Sequence, residues 1–368
     1  MTVHLLGLPH TETTRAFSWC AYTEKVRKLA TMLTRLGERV VVYGGEASDA
    51  ECAEHVAIVS REEQAAWFAG WDPARSYWDP PRAWETDAPW WQAFNERAAA
   101  AIRERAEPRD VLSITMGTSH RPVAEALAHL ELMPVETGIG YKGVWAPYRV
   151  FESHAWRNFV AAKQPDDVVR FYDEVIPNYF EAEAFPRGTG QGGYFLFMGR
   201  LIGRKGPQIA AQACARIGAK LIVAGQGALS WSPRLIVCQD GTRIEGDVEY
   251  VGVVGPEERA RLMGEAIATF VPTMYLEPFG GVSVEAQLTG TPAIVSDYGG
   301  LVENVNGVGG YRCRTLAEFA AAAERAGSLD RDGIRDHALA TWSTEVIGPR
   351  YLEYFARLAS LWGEGWYS

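Results

Sequence analysis

Cysteine is scarce and scattered. Cys20, Cys52, Cys214, Cys238 and Cys313 are odd in number and form no C-x-x-C pair, which argues against a disulfide scaffold or a cysteine metal knuckle and reads as buried thiols in a reducing compartment. No apolar stretch reaches the roughly 18 residues that a membrane span requires. The opening MTVHLLGLPH has no basic segment, and its run Val3–Leu8 is interrupted at Gly7, so it reads as a first strand and not a signal peptide. A soluble, cytoplasmic protein is the expectation. Basic charge is also in deficit: 36 Lys and Arg stand against 46 Asp and Glu, a net charge of −10. That leaves no chain-wide electrostatic footprint for nucleic acid, although a local basic pocket stays open. What the chain does have is length and apolar material, with 368 residues and 47% hydrophobic side chains, enough for a sizeable core and about two domains. Its 37 glycines follow no period, which assigns them to turns.

Short apolar runs alternate with helix-length amphipathic segments, the pattern of βαβ units and parallel sheets. Val3–Leu8 leads into a segment whose Val26, Leu29, Leu33 and Leu36 keep helical spacing, stops at Gly37 and returns as Arg39–Tyr43. His55–Val59, Val111–Thr115 and Pro134–Thr137 continue this first series, with a helix over Pro122–Leu130. Residues 181–193, EAEAFPRGTGQGG, lack periodicity and read as a linker. A second series follows: strands at Tyr194–Met198, Lys220–Ala224, Glu249–Val253, Ala268–Pro272, Thr291–Ser296 and Gly310–Cys313, and helices at Pro207–Ile217, Glu257–Glu265, Val282–Leu288 and Leu316–Ala326. The expected division is 1–180, linker 181–193, 194–345 and a terminal helical segment 346–368. Trp67–Trp91 departs from this regularity, with tryptophans at 67, 71, 78, 84, 90 and 91. These rings either pack down a long insertion or form a wall for an acceptor.

The strongest constellation is Glu277-Pro-Phe-Gly280-Gly281-Val-Ser-Val-Glu285. A strand, a glycine-rich loop and a helix N-terminus in succession make an anion site, because backbone N–H groups point at the ligand and glycine permits close approach. Glu277 at the loop mouth and Glu285 one turn into the helix can accept hydrogen bonds from sugar or ribose hydroxyls. A salt-bridged glutamate in an ordinary capping loop is the structural alternative. Upstream, Gly199-Arg200-Leu-Ile-Gly-Arg204-Lys205-Gly206 sets cations between a strand and a helix. Arg200 and Lys205 there can converge on a diphosphate, although a basic pair in a loop is often only solvated surface.

Glu277-x7-Glu285 with its Pro-Phe-Gly resembles the signature of retaining glycosyltransferases of the GT-B fold, family 4 type (glycosyl transferases group 1). The Gly-Arg…Lys-Gly segment resembles the same family's phosphate clamp. Val175-Ile-Pro-Asn178, Ala224-Gly225-Gln226-Gly227, Gly290-Thr-Pro292 and Asp297-Tyr-Gly299-Gly300 through Glu303 follow in the family's order. The likeness is close over 194–305 and only in outline before it. It implies an α/β fold of two Rossmann-like domains facing each other across a cleft, with the C-terminal helix returning to the N-terminal domain. It also implies Glu285 on the nucleotide ribose, Glu277 near the donor sugar, Arg200 and Lys205 on the diphosphate, and Gly225 with Phe279, Gly280, Gly281 and Val282 around the donor. His120 falls in the region of the family's active-site histidine, although a lone histidine is often just a satisfied polar residue.

The chain departs from the family at its first βα turn. Many relatives carry Gly-Gly there, whereas this sequence reads Gly7-Leu-Pro-His10-Thr11-Glu12-Thr13-Thr14-Arg15. His10, Thr11 and Thr14, with Glu136 and Tyr141 after later strands, are the acceptor candidates; turns satisfying their own amides would look the same. Seven histidines offer no metal-ligand spacing and no convincing Asp-x-Asp triplet occurs, so no metal and no cofactor are expected, only a nucleotide-diphosphate sugar donor such as a UDP- or GDP-sugar. The implied activity is retaining, metal-independent transfer to an acceptor hydroxyl. A catalytically silent nucleotide-sugar-binding protein or a GT-B epimerase or phosphorylase is the alternative. Glycan, lipid, protein and modified phage DNA all stay open as acceptors, and the oligomeric state is not legible.

Overall fold

The computed structural model describes residues 1–71, 85–164 and 170–361. These fall into two compact units: residues 1–71, 85–164, 170–179 and 344–361 make the first, and 180–343 the second.

In the first unit β1 (Thr2–Leu6) is the seed. Its residues after Thr2 are all buried, as expected of a strand covered on both faces. Alternation then sends Val3 and Leu5 into one core and Leu6 into another. Around it lie β2 (Arg39–Gly45), β3 (Glu54–Val59), β4 (Val111–Ile114), β5 (Met133–Ile139), β6 (Tyr148–Phe151) and β7 (Asp173–Val175) in the order β3-β2-β1-β4-β5-β6-β7. Every pairing is parallel, with Val3 opposite both Val40 and Val111. The connecting helices are α1 (Ala21–Arg35), α2 (Arg61–Trp67), α3 (Pro89–Arg103), α4 (Arg121–Ala126) and α5 (His154–Ala161). Gly37 ends α1 as the spacing predicts: at φ +91°, it lets the Glu38 amide donate back to the Leu33 carbonyl.

The second unit repeats the scheme. β8 (Phe195–Met198), β9 (Leu221–Ala224), then β10 (Ala228–Ser232), β11 (Leu235–Cys238) and β12 (Arg243–Glu245), then β13 (Val248–Gly252), β14 (Thr269–Val271), β15 (Ala293–Ser296) and β16 (Gly310–Cys313) follow in sequence. Six of them form an all-parallel sheet ordered β13-β9-β8-β14-β15-β16. Its helices are α6 (Pro207–Arg216), α7 (Pro256–Glu265), α8 (Gly281–Leu288), α9 (Leu301–Asn304), α10 (Leu316–Ala326) and α11 (Arg331–Trp342). The strands β10, β11 and β12 form a separate antiparallel sheet that hydropathy patterning does not reveal. The last helix, α12 (Thr344–Leu361), returns to the first unit, where Ile347, Tyr351, Phe355 and Leu358 pack with Val26, Leu29 and Leu33 of α1.

The basic residues of α1 are engaged within this unit. Lys25 forms an ion pair with Glu152, and Lys28 donates to the Tyr179 carbonyl at 3.0 Å. Among the described residues no helix is long and apolar enough to cross a membrane. Of the tryptophans in Trp67–Trp91, Trp91 is buried against Phe94 in the α3 face of the core, and Trp71 meets Trp19 edge-on. Trp78, Trp84 and Trp362 lie outside the described residues.

Candidate active site

In an open parallel sheet, ligands bind at the carboxyl ends of the strands where the strand order reverses. In the second unit that point falls between β8 and β14, because the chain moves from β8 outward to β9 and β13 and then returns to β14 on the other side. The loops leaving these two strands carry the clamp segment Gly199–Gly206 and the segment Thr273–Gly281.

The two loops are locked together through backbone. Gly206, at φ +78°, ends the turn Gly203–Lys205 and precedes α6; a β-carbon there would lie 2.0 Å from the Pro272 carbonyl oxygen, so only glycine lets the loops approach. The Met274 amide donates to the Arg204 carbonyl at 2.7 Å. Lys205 is thereby aimed at Glu277, and its Nζ donates to Oε2 at 2.8 Å and Oε1 at 3.1 Å. Glu277 is 8% exposed and the Lys205 side chain 26%. Tyr275 lies with its ring 5.1 Å from both Nζ of Lys205 and the guanidinium carbon of Arg204. Burial raises the pKa of its hydroxyl, and Glu277 raises it further through its charge and a hydrogen bond, while Arg204 and Arg200 pull it down. Three cations, one carboxylate and one phenol therefore share the end of this sheet.

Gly280 stands at φ +84°, where a β-carbon would come 2.4 Å from Leu301 Cδ2, and α8 starts at the next residue. The first amides of a helix have no intrahelical acceptor and form an anion site. Phe279 lies two residues before this helix. Its ring is buried, stacked on Phe180 at 6.3 Å, and its carbonyl accepts from Asn304 Nδ2 at 2.6 Å. Val282 packs against Val271 and Leu301. Glu285 lies on α8 with Oε1 3.4 Å from Arg259 Nη1 of α7. Gly225, at the end of β9, accepts the Tyr250 hydroxyl on its carbonyl at 2.8 Å. Sequence reasoning singled out neither Tyr275 nor Arg259. The spacing of Tyr275, two residues before Glu277, was the only signal available for the first, and nothing local marks the second.

In the first unit the order reverses between β1 and β4, and the polar residues there make their contacts within the fold. His120 is buried, stacked on Phe94 at 5.8 Å, with Nε2 3.0 Å from the Gly7 carbonyl oxygen. Burial depresses its pKa to about 3, so the ring is neutral and Nε2–H is the donor. His10 is also buried, edge-on to Phe68 and Trp71, with its pKa lowered to about 4 by burial. Thr11 Oγ1 is 2.6 Å from Thr23 Oγ1, and Thr14 caps a short 3₁₀ turn through the Ala16 amide. Glu136 is fully buried and accepts from Tyr141 Oη at 2.7 Å, the Trp145 amide at 2.7 Å and the Ala146 amide at 2.6 Å. Burial raises the pKa values of both Glu136 and Tyr141. The structure thus joins Glu136 to Tyr141 and His120 to the first βα turn. Among the described residues, no three His, Cys, Asp or Glu side chains gather as metal ligands.

Residues 181–326 match the family model described as glycosyl transferases group 1. An uncharacterised glycosyltransferase of Methanocaldococcus jannaschii is 36% identical over 121 residues, 31% of this chain and 30% of the relative. A glycogen synthase of Mycobacterium tuberculosis is 38% identical over 136 residues, 34% of this chain and 32% of the relative. The chain thus spans about a third of the length of the curated relatives it matches. Over nearly the whole chain the likeness is one of fold. AviGT4, a glycosyltransferase involved in avilamycin A biosynthesis, superposes with a TM-score of 0.67 at 21% identity, covering 98% of both chains. HepE of Anabaena, solved with UDP and glucose, gives 0.67 at 14% identity over 96% of this chain and 99% of that one. The chain therefore has the GT-B fold, and within it residues 181–326 match the glycosyl transferases group 1 model.

Proposed function

We propose that this protein is a retaining, metal-independent glycosyltransferase that takes a nucleotide-diphosphate sugar and passes the sugar to an acceptor hydroxyl. The observation carrying the reading is the Lys205–Glu277 pair beside the N-terminus of α8 at the β8/β14 switch point. An ammonium has three N–H donors. With two directed at Glu277, Lys205 keeps one for a diphosphate oxygen, and Arg200 offers a planar guanidinium fork suited to bidentate phosphate recognition. Negative charge grows on the departing diphosphate, so cations fixed before reaction stabilise the transition state more than the ground state. Glu277, held by Lys205, accepts from donor-sugar hydroxyls, and Glu285 from the ribose; Gly225 and the backbone of Phe279, Gly280, Gly281 and Val282 line the same ligand. With the protein's carboxylates occupied in binding, the leaving phosphate assists attack on the face it leaves. The first unit is assigned to the acceptor side, where His10, Thr11, Thr14, Glu136, Tyr141 and His120 shape the loops at the strand ends.

The test is a thermal-shift screen of the purified chain against UDP-, GDP- and ADP-sugars. A donor at 100 times its Kd should stabilise the fold by about 2.7 kcal/mol. Arg200→Ala or Lys205→Ala should abolish both that shift and transfer while the variants stay folded. Equal stabilisation and turnover in both variants would remove the clamp from the mechanism. Nucleoside diphosphate released at the same rate without acceptor would favour hydrolysis or epimerisation over transfer.

A further inference from the structure

The three-stranded sheet β10-β11-β12 interrupts the parallel scheme between β9 and β13, and its turn reaches the clamp loop. Asp240, at the tip between β11 and β12, accepts the Gly203 amide on Oδ2 at 2.7 Å and the Thr242 amide on Oδ1 at 2.9 Å. The fit is close, since a β-carbon on Gly203 would lie 2.8 Å from Thr242 Oγ1. Next to this contact, the Leu201 amide donates to the Gln226 carbonyl and the Gln239 amide to the Gly227 carbonyl, each at 2.8 Å. The turn after β9 and the turn after β11 thus hold the clamp loop together.

The inserted sheet is itself anchored. Ile236, Cys238 and Ile244 are buried in the core beside Ala211 and Cys214 of α6, the helix that begins where the clamp loop ends. At its other end Trp231 packs edge-on against Tyr250 at 5.0 Å, and the Tyr250 hydroxyl donates to the Gly225 carbonyl. Asp240 is exposed and takes no part in that core. Burial works against its ionisation, but the amides of Gly203 and Thr242 outweigh that effect and hold its carboxyl below the usual range.

We infer that Asp240 is a positioning residue for the clamp loop, and that the inserted sheet braces Arg200, Arg204 and Lys205 against recoil when a nucleoside diphosphate binds. The inference rests on the donor-site reading above. Its physical content is that a charge-assisted hydrogen bond to the Gly203 amide fixes the turn from which Arg204 and Lys205 project.

UDP, GDP and ADP are titrated separately into the parent chain and into Asp240→Ala, Asp240→Asn, Gly203→Ala and Gly203→Ala/Thr242→Ala, with Lys205→Ala as the reference for the site itself. Asp240→Ala should weaken binding of the preferred diphosphate by about fivefold to tenfold while leaving the melting temperature unchanged, because no core contact is lost. Asp240→Asn keeps one acceptor oxygen and should fall between. Gly203→Ala should weaken binding by crowding Thr242, and removal of the Thr242 hydroxyl in the double variant should restore it, a recovery that general destabilisation would not give. Loss of binding in Lys205→Ala with parental binding in Asp240→Ala and Gly203→Ala overturns this inference and leaves the donor site standing. Failure of the parent chain to bind any of the three overturns both.

Discussion

The switch points of the two sheets use polar residues in opposite ways. In the second unit Lys205 is bonded to Glu277 yet 26% exposed, and Arg204 and Arg200 act on the same tyrosine. Charges there are paired but within reach of a ligand. In the first unit Glu136 holds three donors, Thr11 holds Thr23, and His120 holds the Gly7 carbonyl, with Glu136, Thr11, Thr23 and His120 all buried. Burying a polar group is costly unless it is bonded internally, and an interior carboxylate with three donors on its two oxygens has little left to offer a substrate. A strand end with polar residues is therefore not by itself a binding site; what matters is whether their hydrogen-bonding capacity is consumed by the fold.

The largest effects should come from crossing one residue of each kind. Lys205→Ala should reduce transfer by about 100-fold or more, with only modest loss of stability. Glu136→Ala strands one buried and two half-buried donors and should lower unfolding free energy by about 3 kcal/mol, measured by urea denaturation, without changing the affinity for a nucleoside diphosphate. A Glu136→Ala chain as stable as the parent but unable to transfer sugar would break the contrast and place chemistry in the first unit. Glu285→Ala is the next test. It should weaken nucleoside diphosphate binding about tenfold through loss of a charged hydrogen-bond acceptor, whereas Arg259→Ala should do less. If Glu285 serves only to hold Arg259, both variants should lose equal stability and neither should change the titration.

His120 gives the smallest effect at neutral pH and the sharpest pH signature. Its folded pKa of about 3 lies below the ordinary 6.5. Between those values the unfolded chain binds a proton that the folded chain refuses, so stability falls as pH drops through that window, by up to about 1.4 kcal/mol per pH unit. Above 6.5 both states are neutral and the term vanishes. His120→Gln keeps an N–H for the Gly7 carbonyl and should show a shallower acid dependence than the parent. Identical slopes in the two chains would mean that the ring titrates normally.

Much of this fold is legible locally. The segment from Leu316 to Ala326 reads as a helix and is one, opened by the Thr315/Glu318 capping box, and Gly310–Cys313 is the strand its apolar pattern indicates. The β10–β12 sheet is not legible because β10, ALSWS, lies almost wholly exposed on an edge and is held by pairing with β11 and the ring of Tyr250. α3 hides for another reason. Its Trp91, Phe94, Ala98 and Ile102 have helical spacing and are buried, but the surrounding tryptophans and prolines read as an irregular insertion.

The sequence by itself determined the alternating α/β scheme, the glycines that end helices and open turns, and the segments around Lys205, Glu277 and Glu285 that carry the family signature. Tertiary structure decided their partners. Lys205 meets Glu277 across 72 positions, Gly203 meets Asp240 across 37 and Arg259 meets Glu285 across 26. Periodicity encodes which face of an element is buried, whereas these contacts depend on which strands become neighbours, and strand order is fixed only when the whole sheet packs.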